Sequence, residues 1–358
     1  MANRWILARQ EGFETSLEYE QNVPIPKPSE LGANEVLVKM QAASINYREL
    51  MISDPNPFSI PIPRPLVPGC DGAGIVAAVG TSVTEFVPGD RVITLVLDSS
   101  VYPDGDDAAG TISMVAAALG QGNDGTLRSH AVFTEKTLIH APKTLDWLSA
   151  ATLTCTWVTG WNVLYGDRAP HVTSDSWVLI QGTGGVSIAT LQLAVAAGAN
   201  VIATTSTEEK ATRLKDLGAL HVINYRTSPD TWGREARELT PGARGFDFVV
   251  DVGGNETLPQ SLVSVRPDGT VDLVGGVGAA TAEPVPAFSA LFSTCNIRGL
   301  LAGSRNQAKA LVKFIDAKGI KPAVDDVVFD LADLKDAYRR LREKKHFAKV
   351  IIKIQHDD

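Results

Sequence analysis

The chain has 358 residues, a length that suggests two domains. Of these residues 44% are hydrophobic and 21% are charged, which is the composition of a globular protein. Its net charge of −8 and pI of about 5.3 argue against nucleic acid and acidic membranes as partners. No apolar run reaches the roughly 20 residues of a membrane helix, and the N-terminus lacks a signal-peptide core. Three widely spaced cysteines, Cys70, Cys155 and Cys295, fit reduced thiols, so we expect a cytoplasmic protein.

Short apolar runs separated by turn residues fill the N-terminal part of the chain. They predict strands at 35–42, 72–80 and 129–133, and another after the turn Pro88-Gly89-Asp90. Prolines crowd residues 55–68, which predicts an irregular loop. The segment 97–122 fits no regular element except a short helix near 112–119. Together these elements predict a small, irregular β-barrel-like domain.

A strand, a glycine-rich turn and a helix follow one another after Trp177. The apolar strand leads into Gly182-Thr183-Gly184-Gly185-Val186, and the helix that follows has no charge in its first turn. This order brings backbone N–H groups and a helix N-terminus to one point, which suits a phosphate group. Glycines alone are a weak signal, because many tight turns need them for positive φ. The flanking strand and helix make the pattern specific for a dinucleotide site.

Strands and helices continue to alternate as far as residue 274. Further strands are predicted at 201–205, 221–225, 246–251 and 270–274, and helices at 208–217, 235–239 and 258–265. This spacing predicts a parallel, doubly wound sheet with helices on both faces. The fold class is therefore α/β, with a dinucleotide-binding domain of the Rossmann type.

The end of the second strand of this domain indicates which dinucleotide is bound. An NAD site ends this strand in Asp or Glu, whose carboxylate binds the adenosine ribose. Here the strand ends in Thr205 and Ser206, with Lys210 in the next helix. Hydroxyl and backbone donors beside a cation fit the 2′-phosphate of NADP(H), and Tyr225 could pack on the adenine or bond the phosphate. The alternatives are that Lys210 is a solvated helix residue and Tyr225 a strand-end aromatic.

Motifs along essentially the whole chain resemble the medium-chain dehydrogenase/reductase superfamily. They are Gly69-Cys70-Asp71-Gly72-Ala73-Gly74, Pro88-Gly89-Asp90-Arg91-Val92, Gly182-Thr183-Gly184-Gly185-Val186, and residues 330–338 followed by 349–352. The run Ser44 to Met51 is most similar to zinc-independent, quinone-oxidoreductase-like members.

This resemblance implies a Rossmann domain plus a GroES-like irregular β-barrel domain whose last part returns after the nucleotide domain. We accordingly expect the GroES-like substrate domain at 1–141, the nucleotide domain at 142–302 and the return segment at 303–358. The resemblance also implies an active site in the cleft between the domains, a homodimer, and use of NADPH.

Zinc-dependent relatives hold a structural zinc through four closely spaced cysteines, and this chain has no cysteine between Cys70 and Cys155. The positions that match the catalytic zinc ligands are Asn46, Cys70 and Cys155, with Asp71 beside the second. Two of these positions are cysteines that could supply thiolates, but asparagine is a poor zinc ligand and the histidine ligand of the zinc-dependent relatives is absent. We expect no metal, with Cys70 and Cys155 as small buried residues; a redox-sensitive thiol pair is the alternative.

Without a metal, reduction requires hydride from the nicotinamide, a donor to the oxygen that gains charge, and a proton. The resemblance places Asn46 at the nicotinamide as that donor. Tyr47 is the nearest proton source, although it could equally pack inside the barrel. Thr159 matches a residue that supports the far face of the nicotinamide ring, or it bonds its own helix backbone.

Three further residues are assigned to the cofactor. Gly275 and Val277 follow the fifth strand at the sheet edge where ligands bind, and their backbone groups could hold the carboxamide or merely form a turn. Lys349 matches a basic residue near the pyrophosphate, or is a surface charge. Two residues depart from the family pattern, since Ser187 replaces the third fingerprint glycine and Ala348 stands where relatives carry glycine.

These features predict an NADPH-dependent oxidoreductase that reduces a carbonyl, a quinone or an activated C=C bond without metal. The apolar residues of the proline-rich loop favour a small apolar substrate; they are Pro57, Phe58, Ile60, Ile62 and Leu66. Two alternatives stay open: a zinc-dependent alcohol dehydrogenase with atypical ligands, and a catalytically silent NADPH-binding sensor or structural protein. The catalytically silent alternative is considered because the motifs contain no unambiguous pair of residues for general acid–base catalysis.

Overall fold

The structure is a computed structural model that describes residues 1–55, 62–101, 104–108, 110–166, 171–278 and 281–355. The chain divides into two units, Met1–Val158 with Ala302–Asp358, and Thr159–Leu301. The sequence suggested a division after residue 141, whereas residues 142–158 belong to the first unit. They are held there by packing against its sheet and by a hydrogen bond from the Cys155 N–H to the Asp71 carboxylate. Among the described residues, no helix has both the length and the apolar character needed to cross a membrane.

The first unit begins with an irregular β-structure. Its elements are β1 (Ala2–Leu7), α1 (Phe13–Ser16), β2 (Leu17–Val23), β3 (Glu35–Ile45), α2 (Tyr47–Ser53), β4 (Asp71–Val79), β5 (Arg91–Thr94), α3 (Ile112–Val115), β6 (His130–Thr134), β7 (Leu138–His140) and α4 (Trp147–Ala150). The long strand β3 pairs antiparallel with β4 and β6. Its side chains Val38, Met40 and Ile45 are buried in the main core of the unit. The helix predicted near 112–119 is only the short α3.

The second unit contains a six-stranded sheet in which every pairing is parallel. Its elements are α5 (Val158–Tyr165), β8 (Trp177–Gln181), α6 (Gly185–Ala196), β9 (Asn200–Thr205), α7 (Glu208–Asp216), β10 (His221–Asn224), α8 (Trp232–Glu238), β11 (Phe246–Asp251), α9 (Leu258–Ser264), β12 (Val265–Leu273), α10 (Ser289–Ser293) and β13 (Asn296–Gly299). The strand order is β10-β9-β8-β11-β12-β13. The order reverses between β8 and β11, so the ligand-binding crevice of such a sheet lies at the carboxyl end of β8. The predicted Rossmann sheet is confirmed.

The chain then returns to the first unit through α11 (Arg305–Lys318), β14 (Val328–Asp330), α12 (Leu334–Arg342) and β15 (Val350–Lys353). Helix α12 buries residues at the spacing of one helix face, namely Leu334, Ala337, Tyr338 and Leu341. Strand β15 pairs antiparallel with β3, and Val350 lies opposite Ile45. This pairing brings the residue before β15, Lys349, beside the end of β3.

Ala348 has a left-handed backbone, with φ of 57°. The family resemblance implies glycine at this position, and the reason is that a Cβ atom is disfavoured at positive φ. Ala348 is also buried, so the turn into β15 has little freedom to relax.

We expect Ala348→Gly to raise the free energy of unfolding by about 1 kcal/mol, because it relieves the left-handed strain. Urea denaturation measures the change. Ala310→Gly is the matched control, since Ala310 is a half-buried residue in the middle of α11. That control should lose about 1 kcal/mol. Equal losses in the two variants would contradict the strain at residue 348.

A buried arginine fastens the irregular segment 97–122 to the rest of the first unit. The Arg305 guanidinium is almost fully buried and pairs with Asp106 at 2.8 Å and Glu85 at 2.9 Å. Lys309 contacts both carboxylates, and Lys136 bonds Glu85. Burial alone would raise the pKa of Glu85, but hydrogen bonds from Arg305 and Lys136 lower it to about 2. The pKa of Asp106 is lowered too, against the effect of burial, by bonds from Ser99 and Arg305.

We expect this network to make the protein acid-sensitive. Because the pKa of Glu85 is depressed in the folded state, its stabilisation is present above the ordinary value of 4.5 and is lost as pH falls toward about 2. Thermal denaturation of wild-type protein and Glu85→Gln across this range measures the effect. The variant should melt lower at neutral pH and show a shallower acid dependence. Parallel curves for the two proteins would contradict this assignment.

Candidate active site

Among the described residues, the glycine turn after β8 leaves open space and unbonded backbone N–H groups at the start of α6. Gly182 has φ of 72°, and a Cβ atom added to Gly182 or Gly184 would meet no neighbour within 4 Å. Glycine at position 182 therefore permits the positive φ and is not required by a close neighbour, and the space beside the turn is open. Within the described residues, the N–H groups of Gly185, Val186 and Ser187 at the start of α6 have no hydrogen-bond acceptor. Open N–H groups at a helix N-terminus fit a dinucleotide pyrophosphate.

Ser187, the departure from the glycine fingerprint, is accommodated without disturbing this turn. Its side chain is buried, and the hydroxyl donates to the carbonyl of Gln181 at 2.6 Å. The hydroxyl thus finds an acceptor at the last residue of β8, and α6 stays close to the strand. Close helix–strand contact is the function of glycine at this position.

The ends of β9 and β10 form the region predicted to select the cofactor. Thr205 ends β9 with its side chain buried, Ser206 is half-buried, and Tyr225 is 37% exposed. The N–H of Tyr225 donates to the Thr205 carbonyl at 3.0 Å, so the two strand ends are adjacent. Lys210 is half-buried, and Thr207 caps its helix by accepting from the Lys210 N–H.

No carboxylate lies at the end of β9 itself. The acid that follows, Glu208, belongs to the first turn of α7 and accepts from the Asn224 side chain at 3.4 Å. An exposed cation that was not singled out from the sequence, Arg226, directly follows Tyr225. A basic residue beside the predicted 2′-phosphate position was the signal that could have identified it.

The other predicted cofactor residues of this unit lie on its loops and on α5. Gly275 is exposed just beyond β12, and the N–H of Val277 donates to the Val252 carbonyl at 3.0 Å. The buried Asp251 carboxylate orders the neighbouring loop by accepting from the N–H groups of Gly253 and Gly254. Thr159 is buried near the start of α5.

A buried ammonium group lies at the centre of the candidate site in the first unit. Lys349 Nζ donates to the Ile45 carbonyl at 3.0 Å, to Asn46 Oδ1, and to Asp71 Oδ2 at 2.8 Å. All three of its N–H groups are therefore used. Burial would lower the pKa of Lys349, but the charge of Asp71 raises it, so the group stays protonated. Lys349 therefore has no N–H group left in this structure for the predicted contact with the cofactor pyrophosphate.

The Asp71 carboxylate is surrounded by hydrogen-bond donors. Its oxygens accept from five groups, which are Ser44 Oγ at 3.0 Å, Asn46 Nδ2 at 3.1 Å, Lys349 Nζ at 2.8 Å, the Cys155 N–H at 3.0 Å and the Cys70 thiol at 3.5 Å. A carboxylate offers about four lone-pair positions. Asp71 therefore has no free lone pair for a metal ion.

Cys70, Asp71 and Cys155 bring their ligand atoms within 4.8 Å of one another. Bonding to Cys155 and burial both raise the pKa of the Cys70 thiol well above its ordinary value, and the charge of Asp71 adds to them. A zinc site needs thiolates and further free donors. Here the Cys70 thiol resists ionisation, and the lone pairs of the Asp71 carboxylate are all used in hydrogen bonds. The Asn46 amide oxygen already accepts a hydrogen bond from the Lys349 ammonium. The residues in this arrangement do not fit zinc.

The two predicted catalytic residues differ in exposure. Asn46 is buried; its Oδ1 accepts from Lys349, while its Nδ2 donates to Asp71 and points weakly at Cys70 Sγ, 3.6 Å away. Tyr47 begins α2 and is 39% exposed, so it is not packed inside the barrel. Within the described part of the chain, no hydrogen bond is made by the Tyr47 hydroxyl.

Two neighbours of this site were not singled out from the sequence. Glu49 is fully buried and accepts from the Asn46 N–H at 2.6 Å, which fixes the start of α2. Burial raises the pKa of Glu49, and the opposing charge of Arg48 at 3.1 Å lowers it. Arg48 also donates to the Leu119 carbonyl, which ties the segment 97–122 to α2.

Comparison with known proteins identifies the family. A zinc-type alcohol dehydrogenase-like protein of Schizosaccharomyces pombe is 39% identical over 99% of this chain and 100% of its own length. The chain belongs to the medium-chain dehydrogenase/reductase superfamily. Residues 32–143 of this dehydrogenase/reductase match the alcohol dehydrogenase GroES-like domain, and residues 185–317 match the zinc-binding dehydrogenase family.

Two other relatives of this dehydrogenase/reductase bear on its chemistry. A solved structure described as an NAD-dependent alcohol dehydrogenase is 29% identical, with a TM-score of 0.84 over 99% of this chain and 100% of the other. An acryloyl-coenzyme A reductase of Sulfurisphaera tokodaii is 26% identical over 93% of this chain and 95% of its own. The family is therefore one of nicotinamide-dependent oxidoreductases.

Proposed function

We propose that this protein is an NADPH-dependent reductase that transfers hydride, without a metal, to a carbonyl, a quinone or an activated C=C bond of a small apolar substrate. The end of β9 carries the cofactor part of the proposal. Thr205 and Ser206 stand where an NAD site needs a carboxylate, while Lys210, Tyr225 and Arg226 are close in the chain to the ends of β9 and β10.

The second unit supplies the binding groups for NADPH. We assign the pyrophosphate to the turn Gly182-Thr183-Gly184-Gly185-Val186 and the 2′-phosphate to Ser206, Lys210 and Arg226. Gly275 and Val277 would hold the carboxamide through backbone groups, and Thr159 would support the ring. NADPH, when bound, supplies the hydride.

The first unit supplies the polar groups for the substrate. Tyr47 is the proposed proton donor, because its exposed hydroxyl is not engaged within the described residues. Asn46 is the proposed donor to the substrate oxygen, through the N–H that now points at the Cys70 sulfur. That contact is the weakest one Asn46 makes, so breaking it costs little. Lys349 holds the other end of the Asn46 amide in place.

The apolar substrate class rests on the composition of the proline-rich loop, and the described residues of that loop do not support it. Ile62 and Leu66 are buried in the core of the first unit, so they do not line a pocket. Pro57, Phe58 and Ile60 lie outside the described residues. The acryloyl-coenzyme A reductase among the relatives favours testing activated C=C bonds beside quinones.

We also propose a cytoplasmic homodimer. Cys70, Cys155 and Cys295 form no disulfide bond, as in proteins of a reducing compartment. In the second unit, large apolar side chains are exposed at the start of α10, within it and two residues after β13, namely Phe288, Leu291, Phe292 and Leu301. They flank β13, which ends the strand order of the sheet. A second copy of this chain is the proposed partner of this apolar patch.

Phe292→Asp should convert the dimer into a monomer, because it places a charge on the residue of this patch that is 80% exposed. Light scattering after size exclusion measures the mass. Val87→Asp is the matched control, since Val87 is 61% exposed in the first unit and should leave the dimer intact. An unchanged mass for Phe292→Asp would rule out this patch as the interface.

The cofactor proposal is tested by fluorescence titration with NADPH and NADH, followed by oxidation of NADPH with a panel of small quinones and enones. We expect tighter binding of NADPH and turnover with at least one member of the panel. Tight binding without any turnover would favour the catalytically silent alternative. Preference for NADH would contradict the assignment of Ser206, Lys210 and Arg226.

A further inference from the structure

A buried carboxylate lies at the carboxyl end of β11, where the order of the parallel sheet reverses. The Asp251 side chain is 0% exposed. It accepts five hydrogen bonds, from the Gly253 N–H at 3.1 Å, the Gly254 N–H at 2.8 Å, the Thr257 hydroxyl at 2.7 Å, the Ser261 hydroxyl at 2.6 Å and Gln181 Nε2 at 3.5 Å. All of these donors belong to the second unit. The carboxylate therefore gathers donors from β8, from the loop after β11 and from α9.

Asp251 differs from two other carboxylates of this sheet in having no cation beside it. Asp247, earlier in β11, pairs with Arg266 at 2.5 Å, and Asp272 in β12 pairs with Arg298 at 3.4 Å. Within the part of the chain that the structure describes, no lysine, arginine or histidine forms an ion pair with Asp251. A buried carboxylate is costly unless hydrogen bonds replace its water. The five donors therefore stabilise Asp251, and Asp251 in turn fixes where those donors lie.

The loop that Asp251 fixes is in contact with the segment that follows β12. The Val277 N–H donates to the Val252 carbonyl at 3.0 Å. A Cβ atom added to Gly278 would overlap the Gly253 carbonyl oxygen, so the two segments touch without space for a side chain. Val252 and Gly253 directly follow Asp251 in the chain. The position of Val277, and with it the proposed site of the nicotinamide carboxamide, therefore depends on the Asp251 carboxylate.

The glycine turn after β8 depends less on Asp251. Gln181, the last residue of β8, contacts the Asp251 carboxylate at 3.5 Å, whereas its bond to the Ser261 hydroxyl measures 2.6 Å. The Gln181 carbonyl also accepts from Ser187 at 2.6 Å. The strands β9 and β10, whose ends form the proposed adenosine site, lie on the other side of β8 from β11. Loss of the Asp251 carboxylate should therefore disturb the segment after β12 and leave the adenosine site in place.

We propose that Asp251 is a positioning residue for the nicotinamide half of the cofactor. Its carboxylate holds the loop after β11, and this loop holds the backbone that receives the carboxamide. The inference rests on the proposed function, which assigns the carboxamide to Gly275 and Val277. It adds a residue that acts through the backbone and takes no part in the hydride transfer itself.

The experiment measures the dissociation constants of NADPH and of adenosine 2′,5′-bisphosphate by calorimetric titration. The bisphosphate carries the adenosine, the 2′-phosphate and one phosphate for the glycine turn, but no nicotinamide. In Asp251→Ala, NADPH should bind about tenfold more weakly, while the bisphosphate stays within about twofold of wild type. Asp251→Asn should weaken NADPH alone by about threefold, because one neutral amide oxygen replaces two charged acceptors.

Asp247→Ala is the matched control, since Asp247 lies toward the opposite end of the same strand and accepts from the Trp177 N–H at 2.7 Å and from Arg266. Its melting temperature should fall, but the ratio of the two dissociation constants should equal that of wild type. A merely structural role for Asp251 would lower the melting temperature in the same way and leave this ratio unchanged. If Asp251→Ala is not recovered folded, Asp251→Asn decides the test through the same ratio.

Equal losses for NADPH and the bisphosphate in the Asp251 variants would overturn this inference alone, because the wild type would still bind both ligands as proposed. A ratio that rises as much in Asp247→Ala would overturn it too, since any damage to β11 would then have the same effect. Wild-type protein that binds neither ligand would overturn the NADPH assignment itself, and this inference with it.

Discussion

Ser206→Asp should weaken NADPH binding by roughly 10- to 100-fold and leave NADH binding nearly unchanged. The new carboxylate would lie at the end of β9, where we place the 2′-phosphate of NADPH. Like charges at this point repel, whereas the same carboxylate can accept hydrogen bonds from the ribose hydroxyls of NADH. Fluorescence titration with both cofactors measures the change.

Ser206→Asn is the control for this substitution, because asparagine has nearly the shape of aspartate and no charge. It should retain most of the preference for NADPH. Arg226→Ala should lower NADPH affinity alone, since NADH offers no 2′-phosphate to the guanidinium. A loss shared equally by NADPH and NADH would show that Ser206 does not face the 2′-position.

Asp71→Asn should lower the free energy of unfolding by about 3 to 5 kcal/mol, the usual cost of removing one partner from a buried ion pair. Lys349 would then remain as a buried cation without a counter-ion, and the acceptor shared by Ser44, Asn46 and Lys349 would lose its charge. Denaturation in guanidinium chloride measures the loss.

The matched variants are Lys349→Met and the double variant Asp71→Asn/Lys349→Met, all measured free of zinc. The double variant should lose less stability than the sum of the two single variants, because neither charge is left unpaired. Additive losses would mean that Asp71 and Lys349 do not interact in the folded protein.

The second unit could be predicted from the sequence because its signals are local. The strand, glycine turn and helix from β8 to α6 stand next to one another in the chain, and the apolar runs of β9 to β12 have the spacing of a parallel sheet. Even Ser187 could be judged harmless from its size, although its bond to the Gln181 carbonyl required the structure.

The candidate site of the first unit was less accessible to sequence reasoning because its contacts are long-range. Lys349 meets Asn46 and Asp71 only after β15 pairs with β3, across 303 and 278 residues of chain. A lysine beside an apolar strand is typical of a surface charge, so its burial carried no local signal. The place of residues 142–158 in the first unit was missed for the same reason, since Cys155 bonds Asp71 across 84 residues.

The measurement that tests the central claim most directly is the steady-state oxidation of NADPH and NADH by chelator-treated protein, with the quinone or enone that turns over fastest. The account predicts a higher kcat/KM with NADPH than with NADH, unchanged by removal of metal or by added zinc. Activity that disappears on chelation and returns with zinc, or a higher kcat/KM with NADH, would contradict a metal-free NADPH-dependent reductase.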